Sequence, residues 1–139
     1  MKVVIDTNVL FTSLKSSSGA SYKLVSLLPS NKLSIAISVP LIIEYEDVLR
    51  RGKLPASISE KDIIDFIDFF CYVGDHQEIF FLWRPFLSDS SDDLVLEIAV
   101  AGGCDAIITY NKRHFKNVDK FGLRVLDPKE FLTEIGVIS

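Results

Sequence analysis

Apolar and polar positions along this chain follow two periods in turn. Lys2-Val3-Val4-Ile5 is a short β-branched run and reads as a buried strand. Leu33 to Ser38 alternates like a second strand. Ala106 to Thr109 and Leu123 to Leu126 predict a third and a fourth. Helical spacing fills the intervals. A short helix is expected over Val9–Leu14, a loop over Lys15–Gly19, and a helix over 20–28 that stops at Pro29. Pro40 suits the first turn of a helix running to about Arg51, before Gly52. Ser59 with Asp62 resembles a capping signal for a helix over roughly 60–72. Ser90-Ser91-Asp92-Asp93 opens another helix, which Gly102-Gly103 ends, and Pro128 to Ile135 forms the last. The stretch 75–91 carries the weakest pattern: Phe80-Phe81-Leu82-Trp83 is apolar, and Pro85 blocks a long helix there. Strands alternating with helices predict one α/β domain over 1–139, a parallel sheet of about four to five strands with helices on both faces.

Composition narrows the class. A chain of 139 residues can build one sizeable core, and a 48% hydrophobic share with 24% charged residues excludes disorder. No apolar run approaches the ~18 residues of a membrane span. The N-terminal apolar stretch meets Asp6 after three residues, so it does not read as a signal peptide. Cys71 and Cys104 are the only cysteines and read as reduced thiols in a cytoplasmic protein. The net charge of −4 argues against gripping duplex nucleic acid by bulk charge.

The placement of the acids is more informative. Ligands of a parallel α/β sheet bind outside the carboxyl ends of its strands. Asp6, Ser38 and Thr109-Tyr110-Asn111 each follow a strand. The starts of the antiparallel crossover helices lie at the same edge, bringing Glu44, Asp92 and Asp93. Each has an ordinary structural reading. Asp6 and Asp92 suit N-caps, and Asp93 suits a helix first turn. Glu44 lies beside an expected core stripe of Leu41, Tyr45 and Val48; Glu46 borders the opposite margin, and Glu44 is preferred because it is nearer the helix start. Asp47, and the row Asp62, Asp65 and Asp68, read as solvated faces. His76 and His114 read as surface or turn residues, and Asn111 as a turn residue.

Together these acids mean more than singly. Clustered carboxylates repel one another and are best tolerated around a cation. Oxygen-only donors select Mg²⁺ or Mn²⁺. With no glycine-rich phosphate loop, the pattern suggests metal-assisted phosphodiester hydrolysis. A phosphatase or phosphoacceptor using Asp6 is the competing chemistry, but it wants a second Asp close by and a helping lysine, neither clearly placed.

Four segments carry a family resemblance. Val4-Ile5-Asp6-Thr7-Asn8-Val9-Leu10, Ser38-Val39-Pro40-Leu41-Ile42-Ile43-Glu44-Tyr45, Asp92-Asp93-Leu94-Val95-Leu96-Glu97-Ile98-Ala99 and Ile107-Ile108-Thr109-Tyr110-Asn111-Lys112-Arg113-His114-Phe115 resemble PIN domains, in order along the chain. They are most similar to the PIN-type toxins of bacterial toxin–antitoxin systems, as is the closing Val125–Leu132. The resemblance implies a Mg²⁺- or Mn²⁺-dependent endoribonuclease acting on single-stranded RNA, homodimers and a cognate antitoxin. It matches Asp6, Glu44 and Asp92 to the metal ligands, Asp93 to a frequent neighbouring acid, and Asn8, Thr109 and Asn111 to supporting polar positions. Many PIN domains carry a further acid where Asn111 or His114 stands here. That departure motivates the alternative of a catalytically weak or inactive PIN-like module that binds RNA or protein. Lys112, Arg113 and His114 follow the site strand and are candidate RNA contacts.

Overall fold

A computed structural model describes residues 1–78, 87 and 90–138 of the chain. Five strands form one sheet: β1 (Lys2–Ile5), β2 (Ser34–Ile37), β3 (Asp75–His76), β4 (Ala106–Ile108) and β5 (Arg124–Leu126). Every pairing is parallel, and the spatial order is β3-β2-β1-β4-β5. Among the described residues six α-helices connect them: α1 (Thr7–Lys15), α2 (Ala20–Ser26), α3 (Val39–Arg51), α4 (Glu60–Val73), α5 (Ser90–Ala101) and α6 (Pro128–Glu134). Phe80–Trp83 and Pro85 lie outside the described residues.

Burial explains the sheet. Successive strand side chains point to opposite faces. Val3, Val4 and Ile5 are all buried, as are Ala106, Ile107 and Ile108, so both faces of the central strands are covered. Helix α5 packs against β1, β2 and β4, while α4 packs on β2 and α6 on β5.

The helix starts follow local chemistry. Pro40 stands in the first turn of α3, whose N-cap Ser38 accepts the Leu41 N–H at 3.2 Å. Ser59 and Asp62 form a reciprocal capping box on α4. Asp127 and Glu130 form another on α6, a box absent from the sequence reading. Helix α5 begins at Ser90, so Asp92 lies inside its first turn and is not the N-cap that its type suggested.

Three further details differ from the pattern reading. The buried stripe of α3 is Leu41, Tyr45 and Leu49, at a strict spacing of four; Val48 is only partly buried. Strand β3 is two residues long with both exposed, too short and polar for a hydrophobic period to reveal. Lys112–Phe115 and Val118–Phe121 are 3-10 turns.

The strand order fixes where a ligand can enter. After β1 the chain moves outward to β2 and β3, then returns to place β4 on the other side of β1. The crevice between the carboxyl ends of β1 and β4 is the topological switch point of the sheet.

Candidate active site

Asp6 is the first residue beyond β1, and its N–H is held by the Ile108 carbonyl of β4 at 2.9 Å. Asp6 is the helix cap that its type suggests, and it also lines the cleft at the strand ends. Oδ1 of Asp6 accepts the Thr7 N–H at 2.9 Å as the N-cap of α1. Oδ2 accepts the Thr109 hydroxyl at 2.7 Å and the Asn8 amide at 3.3 Å. Asn8 also bridges the crevice, its Oδ1 accepting the Tyr110 N–H at 3.3 Å. Thr109 is fully buried and in turn accepts the Asn111 N–H at 3.0 Å.

Helix α3 delivers the second acid. The buried Tyr45 hydroxyl donates to the Ile5 carbonyl, tying α3 to the end of β1. Glu44, the preceding residue, therefore stands over the crevice. Its Oε1 accepts the Ser91 hydroxyl at 2.6 Å and its Oε2 the Thr7 hydroxyl at 3.3 Å. Glu46, on the other margin, pairs with Arg50. Of the two acids that periodicity could not separate, Glu44 lines the cleft and Glu46 does not.

Helix α5 brings the third. Asp92 is buried, and its Oδ2 lies 3.5 Å from Nδ1 of His114, which the 3-10 turn after β4 carries inward. Asp6, Glu44, Asp92, Asn8, Asn111 and His114 line a single cleft of about 320 Å³, with Thr7, Phe11, Val48 and Ser91 completing its walls.

Asp93 is placed differently. It is turned into the protein, where its Oδ1 accepts the Leu87 N–H at 2.8 Å. Ser38 is likewise buried and occupied with its cap. Lys112 pairs with Glu130 of α6, whereas Arg113 is exposed beside His114. Tyr110 is partly exposed, its hydroxyl bonded to that of Ser21. The pattern reading missed Ser91, Thr7, Phe11 and Val48, because hydroxyls and single apolar residues on helices carry no distinguishing period.

The electrostatics are those of a strained acid. Burial raises the pKa of Asp6 above the ordinary 3.8; hydrogen bonds from Thr109 and Thr7 oppose the rise, the charge of Glu44 adds to it, and that of His114 counters it. Among the described residues no three His, Cys, Asp or Glu side chains stand close enough together to hold a metal ion as they are oriented here. The donor chemistry nevertheless fits a hard divalent ion, since Asp6, Glu44 and Asp92 offer carboxylates from three separate elements to one cleft.

A family model described as a PIN domain matches residues 2–113. Among solved structures, the chain is similar to one of VapBC2 from Rickettsia felis bound to a DNA fragment from their promoter. The TM-score is 0.63 at 18% identity, covering 91% of this chain and 100% of that one. It is also similar to a structure of VapBC-1 from nontypeable Haemophilus influenzae, with a TM-score of 0.62 at 17% identity, covering 93% and 99%. No curated protein sequence matches it.

Proposed function

The chain belongs to the PIN-domain family, and we propose that it is a metal-dependent endoribonuclease of single-stranded RNA, the toxin of a toxin–antitoxin pair. The observation that carries this reading is the convergence of Asp6, Glu44 and Asp92 on one cleft at the switch point of the sheet. The likeness to VapBC structures supports the toxin role and a cognate antitoxin; the homodimer is what the family resemblance implies. In this reading residues 1–139 form one domain that works in the cytoplasm.

Asp6, Glu44 and Asp92 hold Mg²⁺ or Mn²⁺ in this reading. Such an ion, when bound, lowers the pKa of water and offsets charge developing on a phosphodiester. Thr109 and Asn8 fix the orientation of the Asp6 carboxylate, and Ser91 and Thr7 that of Glu44. Asn111 stands at the mouth of the cleft, where its side chain can meet RNA or water. Exposed Arg113 meets the phosphate backbone, with Lys112 a weaker contact because of its pairing with Glu130. Asp93 supports the start of α5 from within, through Leu87.

The test is cleavage of a labelled mixed single-stranded RNA by the purified protein with Mn²⁺, with Mg²⁺ and with EDTA, beside Asp6→Asn. Cleavage that needs metal and disappears in the variant supports the nuclease. Metal and RNA binding without cleavage under every condition would replace it with the non-catalytic module. Phosphorylation of Asp6 by a small phosphodonor would favour the phosphoacceptor chemistry.

A further inference from the structure

We propose that His114 is itself a ligand of the divalent ion in this cleft, binding through Nδ1 beside Asp92, so that the site favours Mn²⁺ over Mg²⁺. The inference rests on the metal-dependent reading of the cleft and assigns it an imidazole donor.

The geometry brings an imidazole nitrogen to the carboxylates of the cleft. Nδ1 of His114 and Oδ2 of Asp92 are 3.5 Å apart, beyond the usual hydrogen-bond range of about 2.7–3.2 Å. Neighbouring donors about 2.0–2.2 Å from one octahedral ion are about 3 Å apart, so a small movement of the exposed ring brings it to ligand distance. The ring is held in this place by a short rigid element. Phe115 is buried at the end of its 3-10 turn, and the His114 N–H donates to the Asn111 carbonyl at 2.9 Å. Asp6 and Glu44 line the same cleft as the ring. Asn111, the other side chain that this turn offers to the cleft, is neutral and a poor ligand by comparison.

An imidazole donor changes the preference of the site. Carboxylates alone suit Mg²⁺ and Mn²⁺ alike, whereas a nitrogen ligand disfavours Mg²⁺, which is bound almost wholly through oxygen. The preference expected for this chain is therefore Mn²⁺ first.

The test is pulsed electron paramagnetic resonance of the full chain loaded with Mn²⁺, together with calorimetric titration of Mn²⁺ and Mg²⁺. The sequence contains two histidines. His76 is on β3, with Nε2 3.1 Å from the Cys71 carbonyl, and does not line the cleft. An imidazole nitrogen coupling is expected in the wild type, retained in His76→Ala and lost in His114→Ala. His114→Ala should weaken Mn²⁺ about tenfold or more and Mg²⁺ distinctly less, and His114→Asp should shift the preference back towards Mg²⁺. Coupling that persists in His114→Ala, or Mn²⁺ bound by the wild type with no nitrogen coupling, overturns the assignment. So does loss of RNA affinity in His114→Ala with Mn²⁺ binding unchanged, which would make the ring an RNA contact. If Asp6→Asn removes Mn²⁺ binding while His114→Ala leaves it intact, the metal reading stands and only the role of His114 falls. A folded wild type that binds neither ion overturns both.

Discussion

The acids of the cleft and the acids of the outer surface differ in the partners the fold gives them. On the surface, Asp75 pairs with Lys2, Asp47 with Arg51, Asp65 with Lys61, and Glu134 takes two bonds of 2.6 Å from Arg124. Each of these carboxylates meets a full positive charge. In the cleft, the hydrogen bonds to Asp6 and Glu44 among the described residues come from hydroxyls, an amide and a backbone N–H. Neutral donors fix a carboxylate in place without cancelling its charge. The consequence is visible in opposite shifts: Lys2 holds Asp75 below the usual aspartate value, whereas burial pushes Asp6 above it. The kind of partner, more than the number of acids, separates a site from a solvated face.

The sharpest way to break this contrast is to remove the charge at Asp6 while keeping its shape. Asn in that position still offers an oxygen to the Thr7 N–H, so the cap of α1 survives. RNA cleavage by Asp6→Asn should fall by about a hundredfold or more, since even indirect supports of a metal site are worth about 10–100-fold. Thermal melting should change little, because removal of a buried charge offsets the loss of the bonds from Thr109 and Asn8. A variant that keeps its cleavage rate would place the chemistry outside the cleft.

Asp93 tests the boundary of the site from the other side. It is as deeply buried as its neighbour, but its carboxylate serves the Leu87 N–H. Asp93→Ala leaves that N–H without its acceptor, which costs about 1–3 kcal/mol. Urea unfolding should show this loss in Asp93→Ala and none of comparable size in Asp92→Asn. Equal losses in the two would mean that both acids are structural.

Gly52 links the cleft wall to the end of α3. A Cβ there would overlap the ring of Phe11, a residue that lines the cleft. The ring must move to accommodate it. Gly52→Ala should destabilise the protein by about 1–3 kcal/mol, the usual cost of overpacking, and should alter RNA affinity more than metal affinity. Chemical denaturation and Mn²⁺ titration of the same sample separate the two.

Much of this was legible in the residues themselves. The long elements announced their boundaries through apolar period and punctuation: Pro40 and Gly52 around α3, Ser59 with Asp62 before α4, Gly102-Gly103 after α5. The edge of the sheet where Asp6, Glu44 and Asp92 meet followed from alternation alone. What stayed hidden depends on contacts between distant segments. Asp92 and Asp93 are adjacent and chemically identical, and only the packing of α5 sends one to the cleft and the other to Leu87. The α3 stripe was read one residue short, because Val48 and Leu49 are both apolar and only the sheet decides which faces it. His114 is the exposed turn residue that its surroundings suggest; no local pattern shows that its turn folds back towards Asp92.

The smallest effect is also the one that tests the contrast most directly. The folded-state pKa of Asp6 lies above 3.8, so between that value and its raised one the folded chain holds a proton that the unfolded chain has released. Its contribution to stability is therefore fully present at low pH and is lost as the pH rises through this window. Asp75 behaves in the opposite sense. Its folded-state pKa lies below 3.8, so its contribution is present above that pH and is lost as the pH falls through the folded value. In metal-free melting curves, the stability of Asp6→Asn relative to wild type should rise as the pH rises above 3.8. The deficit of Asp75→Asn should be complete at neutral pH and close as the pH falls below 3.8. The Asp75 pair is exposed, so its deficit should stay within about 1 kcal/mol. If both variants changed with pH in the same direction, the distinction between a charge left uncompensated for a ligand and a charge already matched by lysine would have no thermodynamic basis.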